Sequence, residues 1–157
     1  MTQVHLVCGK VGAGKTTYAR ELAQDRSALL LSLDAWMLHF YGEPRGREEF
    51  DAKVALCIEM MLRITDQLVT LETETVLDCG FWRRDVRNEA RSRIRAAGGD
   101  PVVHYVDVPA DERWARIEAR NNRLDGETHF IDRHAFELFE NWFDEPTSDE
   151  SPVHVEH

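Results

Sequence analysis

The chain predicts an α/β fold in which a parallel sheet is covered by helices on both faces. Two observations carry this. Short apolar runs alternate along the chain with longer stretches whose apolar residues recur every three or four positions. The first apolar run leads into a glycine-rich loop and then a helical stretch, the setting of a phosphate-binding loop. With 157 residues, 43% hydrophobic and 31% charged, one domain spanning 1–157 with a sizeable core is expected.

Residues 4–8 read as strand one. The next nine are Gly9, Lys10, Val11, Gly12, Ala13, Gly14, Lys15, Thr16 and Thr17, which fit G-x-x-x-x-G-K-T. Glycines let such a loop bring its N–H groups close to a phosphate chain, and the helix that starts at Lys15 points its positive end there. Lys15 supplies a charge for the β- and γ-phosphates, and Thr16 a hydroxyl for Mg²⁺. Residues 28–33 read as strand two. Residues 46–71 read as a long helix with Phe50, Val54, Cys57 or Ile58, Met61, Thr65 and Leu68 on one face.

Residues 75–79 read as strand three. A helix over 85–97 buries Val86, Ala90, Ile94 and Ala97 and stops at Gly98 and Gly99. Residues 102–106 read as strand four, Pro109 and Asp111 open a further helix, and 132–143 is the last clear one. The loop-like segments are 42–46 and 121–128. The acidic tail, 145–157, holds Pro146 and Pro152; 153–155 reads either as a stub of a fifth strand or as part of a disordered end.

Composition excludes several classes. No stretch reaches membrane-spanning length and no secretory signal is present, so a cytoplasmic location without membrane contact is expected. The net charge of −10 disfavours broad nucleic-acid binding, without excluding a local basic pocket. Cys8, Cys57 and Cys79 show no C-x-x-C pairing, so buried thiols are expected rather than disulfides or a zinc site. His39 has no partner at a metal-ligand spacing. The sequence fixes no oligomeric state.

Ligands of such sheets bind at the carboxyl ends of the strands. Asp34, after strand two, suits a general base for an attacking hydroxyl, or an N-cap for the helical stretch 35–38. Asp78 closes the apolar run Val76, Leu77 in the manner of a Walker B aspartate that holds Mg²⁺. The division of roles between Asp34 and Asp78 stays open. Arg113, Arg116, Arg120 and Arg123 follow helical spacing into a loop; Arg120 and Arg123 suit a lid that closes on the γ-phosphate, and Arg113 a solvated surface.

Trp36, Phe40, Tyr41, Phe81 and Trp82 lie beyond strands two and three and read as acceptor walls or as core. Arg83 and Arg84 suit an acceptor phosphate or carboxylate, Arg45 and Arg47 sit in a loop that could reach it, and Arg87, Arg91, Arg93 and Arg95 read as a solvated helix face.

The strand with its GKVGAGKTT loop, the Leu33, Asp34 strand end, the Val76, Leu77, Asp78 strand and the later Val108, Pro109, Arg120, Asn121 and Arg123 together resemble P-loop kinases of the AAA_33-like group. That group is similar to bacteriophage polynucleotide kinase, chloramphenicol phosphotransferase and zeta-toxin kinases. The resemblance runs over roughly residues 3–145. It implies a P-loop NTPase three-layer sandwich with strand order 2-3-1-4-5, the fifth strand short or absent. It also implies Asp34 as general base, a lid over about 120–132 carrying Arg120 and Arg123, and ATP rather than GTP. The expected activity is ATP-dependent phosphoryl transfer to a hydroxyl of a small molecule, with ATP and Mg²⁺ as cofactors. The alternatives are a 5′-hydroxyl polynucleotide or RNA kinase and a nucleotide-binding regulatory protein without an acceptor.

Overall fold

The computed structural model describes residues 1–43, 45–123 and 130–156. Five strands form one sheet: β1 (Gln3–Cys8), β2 (Leu29–Ser32), β3 (Thr75–Gly80), β4 (Asp100–Asp107) and β5 (Val153–Glu156). Their order is β2-β3-β1-β4-β5 and every pairing is parallel. The helices are α1 (Lys15–Arg26), α2 (Leu33–Tyr41), α3 (Arg47–Thr70), α4 (Arg84–Ala96), α5 (Ala110–Asn121) and α6 (Arg133–Glu140). The fold is the α/β P-loop NTPase sandwich, with the loop of interest leaving the central strand.

Two-residue periodicity divides β1 between two cores. Val4, Leu6 and Cys8 face α3 and α4 together with Leu77, Val103 and Tyr105. Val7 faces α1, where Ala19 and Ala23 meet Val76 and Val106. A third cluster joins Val11 of the loop to Ile117, Ile131 and Phe136, so α5 and α6 pack directly on the loop. Long helix α3 buries Cys57, Met61, Leu62, Thr65 and Val69.

Beneath α1, the buried His5 and His104 form a chain with the half-buried Glu74 and Tyr18. Arg26 holds the Glu74 carboxyl below its usual range, so Glu74 can only accept. His5 therefore donates from Nε2 to Glu74 (3.2 Å), and its Nδ1 accepts from His104 Nε2 (2.9 Å). His104 Nδ1 in turn accepts from the Tyr18 hydroxyl (2.7 Å). Both imidazoles are neutral. Burial lowers both, His104 to about 4.

Two expectations are corrected. Strand two ends at Ser32, and Leu33, buried at 7% exposure, already belongs to α2. Asp34 therefore lies within the first turn of α2, and Ser32 holds the N-cap position instead. Of the two readings of the tail, the structure has the short fifth strand: Ser148–Glu150 makes a 3₁₀ turn and β5 pairs with β4, His104 opposite Val153. Residues 124–129 of the expected lid lie outside the described residues. No helix among the described residues is long and apolar enough to cross a membrane.

Candidate active site

The loop from Gly9 to Gly14 leaves β1 at its carboxyl end and feeds α1. Two glycines are needed for close approach. A Cβ on Gly9 would stand 2.6 Å from the Val106 carbonyl oxygen. One on Gly12 (φ 79°) would stand 2.7 Å from that of Arg113, so neither position admits a side chain without moving backbone.

Lys15 and Thr16 open α1. The Lys15 ammonium donates to the Lys10 carbonyl at 2.9 Å. Thr16 donates its hydroxyl to Asp78 Oδ2 at 2.8 Å, and Ser32 makes a weaker contact with the same oxygen at 3.5 Å. Asp78 is buried. Burial pushes its carboxyl up, against the Thr16 hydrogen bond and the Lys15 charge, and Asp34 adds to the upward push. Burial lowers the Lys15 ammonium, Asp78 and Asp34 oppose that, and Arg120 adds to the lowering. Lys15, Thr16, Asp78, Asp34 and Arg120 thus form one electrostatic group, in which Asp34 is exposed and Asp78 enclosed.

These residues fit a hydrated Mg²⁺. A hydroxyl and a buried carboxylate stand in hydrogen-bond contact beside the loop. Among the described residues no three His, Cys, Asp or Glu side chains gather as a metal cage. Such a cation would rest on Thr16, Asp78 and the phosphates themselves, the usual manner for Mg²⁺.

The arginines divide. Arg116 donates to the Ala13 carbonyl at 3.1 Å. Arg123 is exposed and turns back to the Ala119 carbonyl at 3.5 Å. Arg113, expected on a solvated surface, is 2% exposed. It donates to Val108 O (2.8 Å), Glu140 Oε1 (2.5 Å) and Val11 O (3.4 Å). The other carboxylate oxygen of Glu140 takes Lys10 at 3.3 Å. Arg87, expected on a solvated face, is 0% exposed. It grips Glu150 with two nitrogens (2.8 and 3.1 Å) and the Phe81 carbonyl with a third (2.8 Å). The physical reason is phase: Arg87 lies on the same side of α4 as Ala90 and Ile94, and Arg113 one turn before Ile117. An arginine in register with a buried apolar stripe was the available signal. Glu140 and Glu150, their partners, carried none.

On the expected acceptor side, Phe81 is core at 2% exposure and takes a left-handed φ of 44°. Trp36 packs partly into the same core, edge-on to Phe40, which is 61% exposed. Tyr41 is exposed, and Trp82 stacks at a tilt on Phe139 near Val11. Arg83 pairs with Asp85 (2.7 Å). Arg84 pairs with Asp149 and Thr147 of the tail. Arg47 lies over the Trp142 ring at 3.6 Å.

Comparison with known proteins agrees with this fold. Three solved structures share the fold. A Chloroflexus aurantiacus protein assigned as a kinase is 23% identical, with a TM-score of 0.78 over 99% of this chain and 89% of that one. A sugar kinase from Janibacter is 20% identical, with a TM-score of 0.71 over 99% and 86%. Chaetomium thermophilum Kti12, solved with ADP-AlF3, is 18% identical, with a TM-score of 0.73 over 98% and 88%. At these identities the likeness is one of fold. Among curated proteins none matches the sequence. The AAA_33 family model, described as an AAA domain, matches residues 4–146, and the chain belongs to this family of kinase-like P-loop proteins.

Proposed function

We propose that the chain is an ATP-dependent kinase that moves the γ-phosphoryl group of ATP to a hydroxyl of a small-molecule acceptor. The observation that carries this is the pair of aspartates around Lys15. Asp78 is enclosed and bonded to Thr16, as suits a metal-side carboxylate, while Asp34 is exposed at the start of α2, as suits a base that must meet an incoming hydroxyl. The acceptor oxygen bonds to phosphorus as the β,γ-bridging bond breaks. The hydroxyl proton goes to Asp34, and ADP leaves.

Bound with the nucleotide, Mg²⁺ would supply charge neutralisation across the β- and γ-phosphates, held by Thr16 and Asp78. In this reading the loop amides of 9–17 cradle the phosphates, and Lys15 turns from the Lys10 carbonyl to meet them. Arg120 and Arg123 stabilise charge on the transferring group. Trp36 and Phe40 line the acceptor. Two findings weigh against a polynucleotide acceptor: the net charge of −10, and the carboxylate partners of Arg83, Arg84, Arg87 and Arg93, which reduce the basic surface. The sugar-kinase neighbour favours a small acceptor.

The test is ADP release from Mg·ATP against nucleosides, sugars, hydroxylated antibiotics and a 5′-hydroxyl oligonucleotide, with Lys15→Ala as the blank. Stimulation by one small-molecule class, absent in the blank, is expected. Asp34→Asn should abolish the stimulated turnover and keep ATP affinity. Stimulation by the oligonucleotide alone would replace this reading with the polynucleotide one, and nucleotide binding without any stimulation would favour a regulatory protein.

A further inference from the structure

We propose that Arg113 and Glu140 are positioning residues for nucleotide binding: from outside the phosphate loop they hold it in the shape that aims its amides inward. The proposal rests on the nucleotide reading above. The loop is gripped at three points on its outer side. Arg113 donates to the Val11 carbonyl (3.4 Å), Arg116 to the Ala13 carbonyl (3.1 Å), and Lys10 reaches Glu140 (3.3 Å).

The consequence follows from peptide geometry. The described chain has no cis bonds, and in a planar trans peptide the carbonyl and the next residue's N–H point to opposite sides. Holding Val11 C=O toward α5 turns Gly12 N–H away from α5. Holding Ala13 C=O does the same for Gly14 N–H. These are amides that a phosphate-binding nest needs.

Arg113 could be fold glue between α5 and α6. Two features say more. Its three acceptors come from three places: Val108 just after β4, the loop, and the last residue of α6. The α5 backbone also abuts Gly12 so closely that a Cβ there would meet Arg113 O. Glu140 completes the arrangement. Burial raises its carboxyl, yet Arg113 and Lys10 hold it below the usual range, so it stays charged. It keeps Arg113 paired and draws the Lys10 ammonium to the outside of the loop.

The test separates aim from stability. Arg113→Lys keeps a cation for Glu140 and loses the planar fork that serves several acceptors at once. Mg·ATP and Mg·ADP are titrated calorimetrically into wild type, Arg113→Lys, Glu140→Gln and, as a buried-pair control away from the loop, Glu150→Gln. Melting temperatures and glycine amide NMR shifts are recorded for each. The expected result is about a ten-fold rise in Kd for both nucleotides in Arg113→Lys. A smaller rise is expected in Glu140→Gln, and Gly12 and Gly14 amide shifts should move in the nucleotide-free proteins. Glu150→Gln should lower Tm with Kd unchanged.

Wild-type affinity in a folded Arg113→Lys would overturn the proposal and leave the pair as fold glue. So would a loss of affinity that tracks Tm equally in all three variants. Should Arg113→Lys fail to fold, Glu140→Gln decides by the same criteria. Failure of wild type itself to bind Mg·ATP would instead overturn the nucleotide reading.

Discussion

At the start of α4, Arg87 is wholly enclosed, and its guanidinium is divided between Glu150 and the Phe81 carbonyl. At the start of α5, Arg113 is nearly as enclosed. One of its carbonyls, however, belongs to the phosphate loop, and its carboxylate, Glu140, is 27% exposed and shared with Lys10. Both arginines meet the same physical demand, since a buried cation needs a carboxylate and full hydrogen bonding. What differs is the owner of the remaining acceptors. Arg87 joins scaffold to scaffold, fixing the left-handed turn at Phe81 and the tail. Arg113 joins scaffold to the segment that must meet a ligand. A buried ion pair therefore reveals its task through the backbone it holds, not through its charge.

The comparison is broken most directly at Arg87. Arg87→Met leaves buried Glu150 with only the Thr147 amide (3.1 Å) and the more distant Arg84 guanidinium (4.0 Å), and should cost about 3–5 kcal/mol of unfolding free energy, read by urea denaturation. The double variant Arg87→Met/Glu150→Leu should recover much of the loss. Failure to recover would show that the Phe81 carbonyl, and not the ion pair, is the main customer of the guanidinium.

Next in size is an acid effect that involves neither clamp. His104 and His5 are held neutral, and the unfolded chain takes up more protons than the folded one below pH 6.5. Stability from this network is thus complete above pH 6.5 and declines as pH falls toward about 4, where His104 titrates in the fold. Tm measured across that interval should fall, and less steeply in His104→Gln.

Gly12→Ala sharpens the contrast from the loop side. It forces a side chain into a left-handed φ against the Arg113 carbonyl and should cost about 1–3 kcal/mol of stability while raising Kd for Mg·ATP. A variant that binds normally would mean that α5 is free to step back. The smallest stability effect in a melting experiment belongs to Glu140→Gln, because the amide oxygen still accepts from Arg113 and the lost carboxylate was itself 27% exposed. Its signature is affinity, which separates it from Glu150→Gln.

Much of this molecule was legible beforehand. Strand and helix periods placed the cores of the first four strands to within a few residues, because a parallel sheet buried on both faces leaves continuous apolar runs such as 76–77 and 102–103; the short edge strand β5, largely exposed, left both readings of 153–155 open. The loop Gly9, Lys10, Val11, Gly12, Ala13, Gly14, Lys15, Thr16 and Thr17 was legible because its shape is dictated locally by glycine. Resemblance supplied the strand order, which no local pattern encodes. The misreadings share a cause. Arg87 and Arg113 read as solvent-facing on residue type, yet each sits in phase with a buried stripe. Their partners lie 63 and 27 residues away, a pairing that periodicity cannot show. Leu33 reads as part of strand two because an apolar residue at a strand–helix junction satisfies either period.

The Arg87 pair also sets a schedule. Glu150 follows Arg87 by 63 residues, so a ribosome adding about 5–20 residues per second presents the cation roughly 3–13 s before its counter-charge exists. Central strand β1 waits in the same way, since its first neighbour, β3, begins only at Thr75. During that interval α4 cannot bury its guanidinium without a large desolvation cost, and the Phe81 turn has nothing to fix it. The corner between Phe81 and α4 therefore closes only once Glu150 has been made.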